Sequence, residues 1–132
     1  MPEEATPPPD SDTIDFRAML RQARERPGMY LMPEPWHART VIPWLIGCDA
    51  ATGYQLLGQE FSIWLSVRRG GPPRSPWAWY AQVMFTALPG RDTDYWNLSD
   101  EENDSYLSAT FTLVDASLAE KGSTFAVVRV TE

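Results

Sequence analysis

Residue types that could act in catalysis are few in this chain of 132 residues. It contains one histidine, His37, and one cysteine, Cys48. A nucleophile and its base need a third group that orients the base, and no sequence pattern places Cys48 or a serine beside His37. We therefore interpret His37 as a surface or helix-capping residue and Cys48 as a small buried residue. The sequence favours a protein that is not an enzyme.

Ligand sets for metals and cofactors are also missing from the sequence. A single cysteine allows no internal disulfide and no cysteine-based zinc cluster. The acids near residue 100 lack the ligand alternation, the central glycine and the terminal glutamate of an EF-hand loop. No glycine-rich phosphate loop occurs. We predict that the protein holds no metal and no cofactor.

The negative charge is concentrated towards the C-terminus. Residues 91–132 carry nine acids and three bases, whereas residues 1–90 carry nine acids and eight bases. This balance argues against nucleic acid and anionic membranes as partners, because both attract positive surfaces. It is compatible with a basic surface on a protein partner. The candidate partner-binding residues are the acids and aromatic residues of one segment: Asp92, Asp94, Tyr95, Trp96, Asp100, Glu101, Glu102 and Asp104.

Aromatic side chains are abundant, with six Trp, five Tyr and five Phe. Rings of this size stabilise a core when buried, and they also line recognition pockets. Core packing is one interpretation of this composition. The other is a small-molecule-binding protein or small tailoring enzyme with an aromatic pocket. The candidate pocket residues are Trp44, Trp64, Trp77 and Tyr80, joined by Trp96.

The composition predicts one folded unit behind a tail. Residues 1–12 are rich in proline and acids and predict a disordered or extended tail, and residues 13–132 predict a single globular domain. The N-terminus does not resemble a signal peptide, and no apolar run approaches the roughly 20 residues of a membrane span. We therefore predict a cytoplasmic protein.

Hydrophobic spacing predicts a mainly α fold, a compact bundle of four to five helices with room for a C-terminal β-strand. The first helix is capped by Asp12 or Thr13 and ends near Arg26. The second spans Thr40 to Tyr54 and carries Pro43, which a helix tolerates in its first turn.

Two further helices are predicted in the C-terminal half. Ser75-Pro76 begins the first of them, and Pro89-Gly90 ends it. Ser99-x-x-Glu102 fits a capping box at the start of the last helix, and Lys121-Gly122 ends that helix. The acids of its first turn also suit the helix dipole, which is a structural alternative to partner binding.

Two segments leave alternatives open. Residues 61–68 fit a short helix, but their alternation also fits a strand. Residues 124–130, TFAVVRV, read as a strand whose partner is undetermined. The strand could pair with residues 61–67, pair with a second copy in a homodimer, or pack as an extended tail.

Arg26-Pro27-Gly28-Met29-Tyr30-Leu31 is the most informative local motif. Pro27 and Gly28 predict a sharp exit from the first helix, which folds Tyr30 back towards the core. The stretch is similar to an RPGMYI segment in the ATP-binding domain of gyrase and related GHKL ATPases. The magnesium-binding Asn of that family is missing from the next helix, and no Asp-x-Gly segment follows. We therefore exclude ATP hydrolysis.

A wider resemblance, over roughly residues 16–88, connects the chain to a group of small, poorly characterised bacterial proteins. The resemblance is carried by Arg26–Leu31, by Trp44-Leu-Ile-Gly47 with Ala50-Ala51, by Phe61-Ser-Ile-Trp-Leu65, and by Trp77 or Trp79. It implies an accessory or immunity-type protein. Our leading hypothesis is a non-enzymatic protein-binding module of the immunity or antitoxin kind.

Overall fold

The computed structural model describes residues 13–26, 37–71, 77–91 and 94–126. These ranges form a mainly helical fold, which confirms the predicted class. The predicted tail at 1–12 and the motif residues Pro27, Gly28 and Tyr30 lie outside them. In chain order the elements are β1 (Thr13–Asp15), α1 (Phe16–Glu25), α2 (Ala38–Ala51), α3 (Gly58–Arg68), α4 (Trp79–Ala87), α5 (Asp100–Lys121) and β2 (Thr124–Ala126).

Helix α5 packs against each of the other four helices. The capping box predicted at its start is confirmed. The Ser99 hydroxyl accepts the Glu102 N–H at 3.2 Å, and the Glu102 carboxylate accepts the Ser99 N–H at 3.0 Å. Gly122 follows the last turn with φ of 100°, a conformation that favours glycine. The predicted apolar stripe of α5 is buried; it comprises Leu107, Phe111, Val114 and Leu118, together with Tyr106.

Helix α1 buries Phe16, Leu20 and Ala23, which recur along one face. The predicted caps, Asp12 or Thr13, are wrong, because residues 13–15 form β1 and the helix starts later. Asp15 is the cap, and its carboxylate accepts the N–H groups of the first turn. The prediction that the helix ends near Arg26 is confirmed, since Arg26 is its C-cap.

Helix α2 begins two residues earlier than predicted. His37 is its cap, and its Nδ1 accepts the Arg39 N–H at 3.1 Å. The buried Ala38 N–H donates to Asn103 of α5 at 2.8 Å. Pro43 therefore lies inside the helix rather than in its first turn. Pro43 is exposed, and because it has no N–H it cannot donate the hydrogen bond that a helix normally makes at this position.

Residues 58–68 are helical, so the alternative of a strand at 61–67 is wrong. The turn before α3 is organised by Asp49, whose side chain is buried. Its carboxylate accepts the Leu57 N–H at 2.8 Å and the Gly58 N–H at 3.0 Å. Asp49 thereby satisfies donors at the start of α3 that have no partner within the helix.

Helix α4 begins at Trp79 after Ala78, which corrects the predicted start at Ser75-Pro76. The difference leaves Trp77 outside the helix and about half exposed, whereas Trp79 is buried in the core. Gln82, fully buried, fixes this turn: its amide donates to the Trp77 carbonyl at 3.1 Å and to the Ser62 hydroxyl at 2.7 Å.

The predicted C-terminal strand is confirmed over residues 124–126, and residues 127–130 lie outside the described ranges. Its partner in the structure was not among the predicted alternatives, and pairing with a second copy stays a prediction. It pairs antiparallel with β1, with Ile14 opposite Phe125. The Phe16 N–H also donates to the Ser123 carbonyl at 2.7 Å, which joins the start of α1 to the residue before β2.

The Asp49 turn predicts a measurable loss of stability. Asp49→Ala leaves two backbone donors without their acceptor, and we expect it to lower the free energy of unfolding by about 2–4 kcal/mol. Urea titration followed by circular dichroism measures this change. Asp104→Ala, an exposed site on α5, is the matched control and should change stability by less than about 0.5 kcal/mol. Equal effects of the two substitutions would contradict the role of Asp49.

Candidate functional site

The acidic–aromatic segment, defined here as residues 94–104, joins the end of the α4–α5 connection to the first turns of α5. Asp94 organises its loop. One carboxylate oxygen accepts the Trp96 N–H at 2.9 Å, and the other accepts the Asn97 amide at 2.8 Å. These two hydrogen bonds favour the ionised form and hold the pKa of Asp94 below its ordinary value. Asp94 is therefore ionised at neutral pH, the form that accepts both hydrogen bonds.

Trp96 is presented to solvent by this loop, with 54% of its surface exposed. Its backbone is held on both sides, because its N–H bonds Asp94 and its carbonyl accepts the Arg39 guanidinium at 3.3 Å. The neighbouring Asn97 carbonyl accepts a hydrogen bond from Arg91 at 3.0 Å. The loop therefore holds the Trp96 ring on a fixed backbone, accessible for contact with another molecule.

The acids of the segment divide into two groups. Glu102 is engaged within the chain: the Ser99 N–H and, secondarily, the Arg91 charge at 3.5 Å hold its pKa below the ordinary value. Asp100, Glu101 and Asp104 are exposed. Within the described ranges, no Lys or Arg nitrogen lies within 4.0 Å of these three carboxylates. Their charge faces solvent, beside Trp96 in the sequence.

Tyr95 points towards the core instead. Its ring is half-buried and meets Tyr80 edge to face, with centroids 5.7 Å apart. Burial raises the pKa of Tyr95. The Tyr80 carbonyl in turn accepts the buried Tyr106 hydroxyl at 2.9 Å. Tyr95 thus packs the segment against α4, and the Tyr80–Tyr106 hydrogen bond joins α4 to α5 at this point. Asp92, the remaining predicted member of the surface, lies outside the described residues.

The four candidate pocket residues have different neighbours. Trp77 packs edge to face on Phe85 with centroids 5.2 Å apart, and Tyr80 packs on Trp79 and Tyr95. Trp44 is partly buried against the core. Trp64 alone among them lines an open groove of about 560 Å³ between α3 and the end of α5. The lining residues are Glu60, Ile63, Trp64, Val67, Arg68, Glu120 and Lys121.

This groove, called here the α3–α5 groove, was missed by sequence reasoning apart from Trp64. Val67 is 53% exposed and Ile63 is partly exposed, and both lie in the groove wall. The available signal was their spacing. Residues 63 and 67 are one helical turn apart and fall off the stripe that Phe61 and Leu65 bury.

Two observations concern side chains that could do chemistry: the state of the Cys48 thiol and the arrangement of the metal-binding residue types. Burial, and secondarily the Asp49 charge, raise the pKa of Cys48 to about 11, so its thiol is protonated and a weak nucleophile at neutral pH. Cys48 is partly rather than fully buried. No group of three or more His, Cys, Asp or Glu in these ranges is arranged to hold a metal ion. No helix within them has both the length and the apolar character needed to cross a membrane.

Comparison with known proteins adds no relative. No family model matches the chain, and neither a curated protein nor a solved structure matches it significantly. The function must therefore be inferred from the geometry of these surfaces.

The Asp94 loop predicts a titration below the ordinary range of a carboxylate. Because the folded-state pKa is lowered, the loop bonds are present at neutral pH and are lost as the pH falls through that pKa. We expect the Trp96 backbone amide to titrate in ¹⁵N NMR spectra with a midpoint below about 3.9, the ordinary Asp value. In Asp94→Asn this titration should disappear. A wild-type midpoint above that value would contradict the geometry.

Proposed function

We propose that this protein is a non-enzymatic protein-binding module of the immunity or antitoxin kind. In this proposal the acidic–aromatic segment binds a basic surface of a partner protein in the bacterial cytoplasm. The observation that carries the proposal is Trp96, which is more than half exposed on a backbone fixed by Asp94 and Arg39.

A fixed and exposed tryptophan is well suited to anchor an interface. Tryptophan is among the residues that contribute most to binding energy at protein interfaces. Because Asp94 and Arg39 already hold the backbone, little conformational entropy remains to be lost on binding. The Trp96 ring is not what holds the loop against the core, since the neighbouring Tyr95 makes that contact.

The exposed acids supply the second part of the proposal. Asp100, Glu101 and Asp104 leave their carboxylates in solvent on the first two turns of α5. Such charges accelerate association with a positive surface and favour it over a neutral one. The small-molecule alternative has less support, because Trp44, Trp64, Trp77 and Tyr80 contact different neighbours and are not gathered around one cavity in the described ranges.

Affinity capture from the native host with paired baits tests this proposal. We expect the wild-type protein to retain a partner that Trp96→Ala loses, and Asp100→Asn/Glu101→Gln should weaken capture about tenfold. Capture should also fall as salt concentration rises, because exposed charges are screened. Quantitative mass spectrometry of the eluates measures these ratios.

Two matched baits control for general effects. Tyr54→Ala removes another exposed ring, and Glu25→Gln removes an exposed charge elsewhere. Both controls should retain the partner as the wild type does. A partner retained equally by Trp96→Ala, or no partner above background with the wild-type bait, would refute the proposed surface.

A further inference from the structure

The α3–α5 groove has an apolar floor that includes the ring of Trp64. The Trp64 indole N–H donates to Glu120 at 3.1 Å, and the Arg68 guanidinium lies over the ring, 4.9 Å from its centroid. Ile63 and Val67 extend the apolar surface along α3. Val67 is 53% exposed, so part of the apolar surface of helix α3 is in contact with solvent.

The charges around this floor are balanced, unlike those of the whole chain, whose net charge is −7. The rim contains two acids, Glu60 and Glu120, and two bases, Arg68 and Lys121. Glu60 lies four residues before Trp64 and Arg68 four residues after it. At about 1.5 Å per residue, the Cα atoms of Glu60 and Arg68 therefore lie about 6 Å before and about 6 Å after that of Trp64 along the helix axis.

We propose that the groove is the self-association surface of a homodimer, in which α3 of one copy packs antiparallel on α3 of a second copy. A two-fold axis near Trp64 relates position 60 of one copy to position 68 of the other. It places Glu60 opposite Arg68 of the second copy at both ends of the contact, as an isologous interface requires. The same axis places Ile63 about 3 Å along the helix axis from Val67 of the second copy, within reach of a side-chain contact, so the two apolar floors cover each other.

Charge complementarity favours a second copy over a partner whose contact surface carries charges of a single sign. A basic surface would face Arg68 and Lys121, and an acidic surface would face Glu60 and Glu120. Either arrangement sets like charges opposite each other, which is unfavourable. Glu60 contacts Lys121 of its own chain at 3.7 Å but keeps 79% of its side chain exposed, so an antiparallel second copy adds its Arg68 to this ion pair at each end of the contact.

The proposed dimer does not compete with the acidic–aromatic segment. That segment leads into the first turns of α5, whereas the groove includes Glu120 and Lys121 at the other end of this 22-residue helix. A helix of that length spans about 33 Å. The dimer would leave both acidic–aromatic segments accessible, so it would bind a repeated or dimeric partner with two sites at once.

Sedimentation equilibrium of the full chain tests the dimer directly. The chain mass is 14.9 kDa, and we expect the weight-average mass to rise towards twice this value as protein concentration increases. The measurement is made near physiological ionic strength, where the roughly 8 Å Debye length screens repulsion between two acidic copies. A mass that stays at 14.9 kDa at every concentration overturns the proposal and leaves the groove to another occupant.

A charge-reversal cycle tests the antiparallel arrangement. Glu60→Arg and Arg68→Glu each place like charges opposite each other at both ends, and each should raise the dimer dissociation constant about tenfold or more. The double variant restores opposite charges and should return to within about threefold of the wild type. A double variant as weak as the single ones overturns the antiparallel pairing.

Two further variants separate the interface from folding and from net charge. Val67→Glu puts a charge on the apolar floor at an exposed position and should leave the protein monomeric with unchanged circular dichroism. Glu101→Arg matches the charge change of Glu60→Arg at a distant site and should leave the dimer unaffected. A dimer that tolerates Val67→Glu, or one that Glu101→Arg dissociates as strongly as Glu60→Arg, contradicts this interface.

Discussion

The rest of the structure depends on one buried hydrogen bond, from the Ala38 N–H to the side-chain carbonyl of Asn103, 2.8 Å long. The start of α2 is inside the protein, where a backbone N–H without a partner is costly. Water is excluded there, so the acceptor must come from a neighbouring element, and α5 supplies it. This bond fixes the first turn of α2, capped by His37, against the start of α5, which has its own capping box.

The candidate surface is a consequence of that junction. Arg39 follows Ala38 directly and donates to the Trp96 carbonyl, so the alignment of the two helices positions the loop that carries Trp96. His37, the cap of α2, has its Nε2 3.4 Å from the Leu98 carbonyl and adds a second contact to the same loop. The position of the Trp96 loop therefore depends on Arg39 and His37, which the buried Ala38–Asn103 hydrogen bond holds in place.

Local signals in the sequence predicted much of the fold, and long-range pairing accounts for what they did not predict. The capping box at Ser99 and Glu102 is readable because donor and acceptor are three residues apart. Asp49 acts on Leu57 across a turn, and β1 pairs with a strand more than a hundred residues later, so neither has a local signature. At the site, composition identified the acids and Trp96, but which acids face solvent depends on the placement of Arg91.

The central claim is that Trp96 is exposed on a backbone that is already ordered before any partner binds. ¹⁵N relaxation of the free protein measures this most directly, at the backbone amides of residues 94–98 and at the Trp96 indole. The account predicts backbone order parameters near the value of about 0.85 that is typical of rigid structure and comparable to those in α5. Order parameters below about 0.6 across this loop would contradict it, because a mobile Trp96 would not be a preformed anchor.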